Sequence, residues 1–153
     1  MTSKPARVPH PALTPNLTIK GAADAIEYYK KVFGATETMR LAESGGRIGH
    51  AEMTVGGSPI MISDEHPEID VLGPQSRGGS TVGLHLYVED ADEVFSRAVA
   101  EGATVIRAVE DEFYGDRCGT LADPFGHIWY ISTRKEELSA AEVKQRYDDL
   151  MNQ

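Results

Sequence analysis

"TPNLTIKGAADAIEYYKKVFGAT" (Thr14–Thr36) and "GLHLYVEDADEVFSRAVAEGAT" (Gly83–Thr104) are two writings of one pattern. Each opens on a short alternating apolar run, continues at helical spacing and closes on Gly-Ala-Thr, at Gly34–Thr36 and Gly102–Thr104. Further along, "SPIMIS" (Ser58–Ser63) and "HIWYIS" (His127–Ser132) hold matching places. A repeat near half the chain length reads as two copies of one supersecondary unit, neither able to bury its apolar face alone. The expectation is two modules facing each other, with a ligand cavity between them.

The first copy parses as strand, helix, strand, strand, strand. Leu13–Ile19 alternates and predicts a strand. Gly21–Phe33 carries Ala22, Ala25, Ile26, Tyr29 and Phe33 at helical spacing, with Gly34 as the C-terminal cap. Glu37–Ala42 is a second strand, Ser44–Gly46 a turn, Ile48–Val55 a third strand, and Gly56-Gly57 turns the chain into Ser58–Ser63. The second copy repeats this with strand Val82–Val88, helix Ala91–Ala100 and strand Thr104–Val109. Loop Asp111–Arg117 follows, then strands Arg117–Ala122 and His127–Ser132, joined at Asp123–Gly126. Ser139 with Glu142 is a capping-box pattern that opens a last helix, to about Met151. The predicted class is α+β, with βαβββ modules over 13–65 and 81–133, a Pro- and Gly-rich linker over 66–80 and a helix over 139–151. The 153 residues then form one domain whose curved, largely antiparallel sheet surrounds a central cavity.

Bulk properties narrow the partners. A net charge of -9 argues against nucleic acid or an anionic membrane surface. The single cysteine, Cys118, excludes an intrachain disulfide and suits a reducing cytoplasm. No apolar run reaches the roughly 18 residues of a membrane helix. The opening "MTSKPARVPHPAL" has no apolar core of a secretory signal and reads as a partly disordered, Pro-rich lead-in. His10 and His66, both in Pro-rich stretches, carry no signal.

Strand alternation assigns faces. One parity is apolar and suits packing under the helices: Ile60 and Ile62; Val82, Leu84, Leu86 and Val88; Trp129 and Ile131. The other is Thr14, Asn16 and Thr18; His50, Glu52 and Thr54; Met61 and Ser63; Gly83, His85 and Tyr87; Ile128, Tyr130 and Ser132. This polar parity is either the wet face of an antiparallel sheet or the lining of a ligand cavity. The loop "FYGDR" adds Phe113 and Tyr114 as aromatic surface, and Arg117 as a cation able to grip a carboxylate or phosphate. Asp116 beside Arg117 equally suits a structural pin at a β-bulge.

The segments "EYYKKVFGA", "GHAEM", "LHLYVEDAD", "GATV" and "DPFGHIW" resemble the vicinal oxygen chelate superfamily, which includes glyoxalase I, bleomycin and fosfomycin resistance proteins and extradiol dioxygenases. The PhnB-like group is the nearest match, over about Leu13–Thr133. The resemblance implies four metal-ligand places, carried over by position to Thr14, Met61, Gly83 and Tyr130. Met is too soft for an oxygen-preferring ion and Gly has no side chain, so the family's usual metal site is expected to be absent, with no cofactor. A displaced triad of His50, Glu52 and His85 is the alternative.

Three functions compete. One is a metal-free small-molecule binder using Asn16, His50, Met61, Tyr87, Tyr114, Arg117 and Tyr130. A second is a metalloenzyme working through the displaced triad. The third is metal-free acid–base catalysis by Glu52 and His85 on a carbonyl substrate. The first is favoured, for a small polar-aromatic or acid-bearing ligand, in a homodimer.

Overall fold

The computed structural model describes residues 6–153, so the first five residues of the expected lead-in lie outside the described residues. The chain divides into two units, meeting in sequence between Gly73 and Pro74. The first unit contains β1 (Asn16–Ile19), α1 (Ala22–Phe33), β2 (Thr36–Ala42), β3 (Ile48–Val55) and β4 (Ser58–Asp64). Its sheet runs β1-β4-β3-β2, with β1 parallel to β4 and the other two pairings antiparallel. The second unit contains α2 (Pro74–Arg77), β5 (Gly83–Tyr87), α3 (Ala91–Ala100), β6 (Thr104–Asp111), β7 (Asp116–Ala122), β8 (Ile128–Arg134) and α4 (Ala140–Met151). Its sheet, β5-β8-β7-β6, repeats the same pairing pattern. The predicted α+β class and the repeated βαβββ plan are therefore present, as two open four-stranded sheets. No helix among the described residues is long and apolar enough to cross a membrane.

Helices α1 and α3 form because their buried positions fall on one face. In α1 these are Ala22, Ala25, Ile26, Tyr29 and Val32, and Gly34 ends the helix at φ 65°, where a side chain would strain the backbone. Asp64, at the end of β4, accepts hydrogen bonds from the Gly21 and Ala22 amides (3.2 and 2.8 Å) and from the Ile48 amide (2.6 Å). A strand-end side chain thus caps α1 from a distance. The second unit uses Thr133 in the corresponding place: its Oγ1 accepts from the Ala91 amide (2.8 Å) and donates to the Val88 carbonyl (3.0 Å). Asp90 adds a side-chain cap on the Glu93 amide.

The core lies between α1 and its sheet in the first unit and between α3 and its sheet in the second. Ile60, Ile62, Trp129 and Ile131 are buried as their parity predicts, Leu84 and Leu86 are half-buried, and Val82 lies outside β5, exposed. Gly119 identifies the helix side of the second sheet: a Cβ there would come within 2.7 Å of both Phe95 of α3 and Val109. Gly119 pairs with Ile131 across β7 and β8, while His85 pairs with Tyr130, one residue out of phase. His85 and Tyr130 therefore occupy the face away from α3, which we call the inner face.

Candidate functional site

Strand register fixes which side chains stand together. In the first unit Asn16 lies opposite Met61, and Glu52 lies opposite Met61 on its other side. In the second, His85 lies opposite Tyr130 and Gly83 opposite Ile128. The carried-over positions Thr14 and Gly83 are therefore not the strand partners of Met61 and Tyr130. The strand partners of Met61 and Tyr130 are Asn16 and His85. Neither the amide and thioether of the first unit nor the imidazole and phenol of the second include a carboxylate, and neither pair fits the metal that the fold family implies. His85 Nε2 is already 2.7 Å from Ser132 Oγ.

In the second unit the inner face carries a flat aromatic shelf. The His85 ring stacks on Tyr87 (centroids 4.9 Å apart, planes 21°) and on Tyr130 (5.7 Å, 12°). Gly83 leaves room for it, since a Cβ at that position would meet the Tyr130 ring at 2.3 Å. Tyr87 is 47% exposed and Tyr130 39% exposed, an unusual arrangement for rings that could bury together. The Tyr87 hydroxyl donates to Asp116 Oδ2 (2.7 Å) and accepts from Arg134 (3.1 Å), whose guanidinium also lies over the Tyr87 ring, 4.9 Å from its centroid. Asp116 is buried, with Arg134 Nε 3.5 Å from its Oδ1. Next to this group a cleft of about 210 Å³ is lined by Tyr87, Tyr114, Asp116, Arg134, Glu136, Leu138 and Val143. The bond to Asp116, then burial, raises the Tyr87 phenol pKa. Burial, followed by the neighbouring Cys118 and Glu112, raises that of Tyr114. Both remain neutral O–H groups at physiological pH.

Arg117 does not join them. It sits on the helix-side parity of β7 and is held bidentately by Asp92 of α3 (2.7 and 3.0 Å), with Asp111 at 3.2 Å. Asp116, next in sequence, points to the opposite face, so the two do not pin a bulge together. Arg134, just beyond the predicted strand end, puts a cation beside the Tyr87 ring. His127, just before β8, is buried, its amide donating to Asp123 Oδ1.

In the first unit, Glu52 is 2% exposed, with His50, Arg7 and His10 around it. His50 Nε2 lies 2.7 Å from Oε2, so this nitrogen carries the proton it shares with the carboxylate. Arg7 Nη2 donates to the same oxygen at 3.1 Å, and His10 Nε2 is 2.9 Å from Oε1. Sequence reading brought His50 and Glu52 together correctly but missed Arg7 and His10. His85 belongs to the second unit, within the aromatic shelf. Among the described residues, no group of three or more His, Cys, Asp or Glu is arranged to hold a metal ion.

The bond from His50 comes first among the causes that hold the Glu52 carboxyl below the usual glutamate range; burial opposes it, and the charges of His10 and Arg7 assist. A depressed folded-state pKa contributes stability that is present above the unfolded value, about 4.3, and is lost as pH falls through the folded one. Wild type is therefore expected to outlast Glu52→Gln in urea at neutral pH, and the gap should close below about pH 4. Urea midpoints for the two proteins across that range check this; a pH-independent gap contradicts it.

The paired βαβββ units and this register define the class. The chain belongs to the glyoxalase/bleomycin resistance protein/dioxygenase superfamily, whose model matches residues 7–131. An uncharacterized protein of Mycobacterium tuberculosis is 40% identical over 137 residues, covering 88% of this chain and 81% of that protein. YjdN of Escherichia coli is 29% identical over 147 residues, covering 82% and 97%. Among solved structures, TioX from Micromonospora sp. ML1 is 25% identical at TM-score 0.62, covering 84% of this chain and 100% of that one. The PhnB protein from Bacillus cereus, at 21% identity and TM-score 0.61 over 80% and 99% of the two chains, shares the fold.

Proposed function

We propose that this chain binds a small, flat, acid-bearing aromatic molecule on the inner face of its second unit, without the metal usual in its family. The observation that carries this reading is the exposed stack of Tyr87, His85 and Tyr130, with Arg134 at its edge. Stacked rings offer a planar ligand dispersion and quadrupole complementarity, and the guanidinium offers a two-pronged partner for a carboxylate. Tyr114 borders the neighbouring cleft. A thermal-shift screen of aromatic carboxylates against aliphatic acids of similar charge tests the reading. Stabilisation confined to the aromatic set supports it, and stabilisation by neither set ends it.

The His50–Glu52 contact favours a second reading, metal-free acid–base chemistry on a carbonyl compound, with Glu52 orienting His50 rather than acting with His85. Turnover of α-dicarbonyl compounds that disappears in His50→Ala would select it; identical turnover in the variant would remove it.

The expected cytoplasmic homodimer stays part of the proposal. Tyr147, Leu150 and Met151 leave an exposed apolar stripe on α4, which a second copy would cover. Light scattering at micromolar concentration should give twice the 16.7 kDa chain mass, and a mass near 16.7 kDa contradicts this.

A further inference from the structure

We propose that the Glu52 carboxylate anchors a second binding site, for an organic monocation bearing planar N–H donors (an amidinium or guanidinium), and that Arg7 and His10 fill this site from within the chain. The proposal does not depend on the aromatic shelf. A carboxylate 2% exposed needs donors, because an unpaired buried charge is strongly unfavourable. Strand β3 supplies one fixed donor, His50, at 2.7 Å. The others come from a segment with no helix or strand, residues 6–15.

That segment fits the carboxylate poorly. Arg7 reaches it with a single nitrogen, at 3.1 Å, and its side chain is 67% exposed. The two-pronged guanidinium geometry, with both nitrogens on both oxygens, is not used. A pair so exposed on one side gains little from its attraction. His10 Nε2 is 2.9 Å from Oε1 but not aligned for hydrogen bonding, so it is buried without a hydrogen-bond partner among the described residues. A planar amidinium could give Oε1 and Oε2 parallel N–H bonds while His50 stays in place. What Arg7 and His10 have in their favour is the tether, which gives them a high effective concentration at the site. A divalent metal ion suits the place less well, since among the described residues no group of three or more His, Cys, Asp or Glu is arranged to hold one.

The test is calorimetric titration of benzamidine into the full chain, its R7A/H10A variant, and R7A/H10A/E52Q. R7A/H10A should bind benzamidine at least about tenfold more tightly than wild type, because the tethered competitor is gone. Adding E52Q should abolish that gain. Equal affinity in wild type and R7A/H10A overturns the proposal, as does a gain that survives E52Q, or zinc binding to R7A/H10A more tightly than benzamidine. Should R7A/H10A fail to fold, wild type decides: benzamidine must shift the His10 imidazole resonances toward solvent-exposed values, and unmoved resonances overturn the proposal.

Discussion

Replacing Asp123 by Ala is expected to cost about 3 kcal/mol, lowering the melting temperature by roughly 6–12 °C. This carboxylate is buried in the turn between β7 and β8, and three donors converge on it. Oδ1 accepts from the Phe125 amide (2.9 Å) and the His127 amide (3.0 Å), and Oδ2 from Trp129 Nε1 (2.9 Å). Ala strands all three, and the indole N–H lies where water cannot replace the lost acceptor. Asn should be intermediate, at about 1–2 kcal/mol: its oxygen can serve both amides, but its NH₂ then faces the indole donor. Chemical denaturation of the two variants checks this order. A cost under about 0.5 kcal/mol for Ala would mean that the backbone bonds Asp123 N–H to His127 O and Gly126 N–H to Asp123 O suffice for the turn. The turn bears on the site because it delivers β8, and with it Tyr130, Ser132 and Arg134, in register against β5.

The second large effect concerns ligand affinity. Tyr130→Ala and His85→Ala should each weaken binding of an aromatic carboxylate by about tenfold or more, equivalent to about 1.4 kcal/mol. Both side chains are exposed, so unfolding free energy should change by less than about 1 kcal/mol. Arg134→Gln should separate ligand classes, weakening acids while sparing neutral aromatics of the same shape. Stability losses of several kcal/mol in both alanine variants would instead assign the rings to the packing of the sheet. Titration calorimetry paired with urea unfolding distinguishes the outcomes.

The fold was legible because its signals are local and repeated. Helix spacing, the Gly34 cap, the Ser139 capping box and the Gly56-Gly57 turn all act within a few residues. Strand β1 begins at Asn16 rather than Leu13 because Pro15, lacking an N–H, contributes only its carbonyl, which accepts from the Met61 amide. The site was legible in parity but not in offset. Alternation places Thr14 with Asn16, and Gly83 with His85, and a two-residue slip leaves each set on its own face. Only the pairing of β1 with β4 and of β5 with β8 chooses between them.

The choice between Arg117 and Arg134 was accessible in principle. Arg117 shares parity with Leu121, a buried core residue, whereas Arg134 shares parity with Tyr130 and Ser132 but lies past the assumed strand end. Arg7 and His10 were not accessible. They meet Glu52 across more than forty residues of sequence, from a segment with no periodicity. Nothing local marks such a contact.

The central claim is that Tyr87, His85 and Tyr130 form one ligand platform. It is tested most directly by following the assigned aromatic-ring NMR resonances during addition of an aromatic carboxylate such as 2-naphthoate. The ring resonances of Tyr87, His85 and Tyr130 should shift together and saturate with one dissociation constant, while those of Tyr28 and Tyr29, on the first unit's α1, stay fixed. Saturating shifts elsewhere with these three rings unmoved would contradict the account.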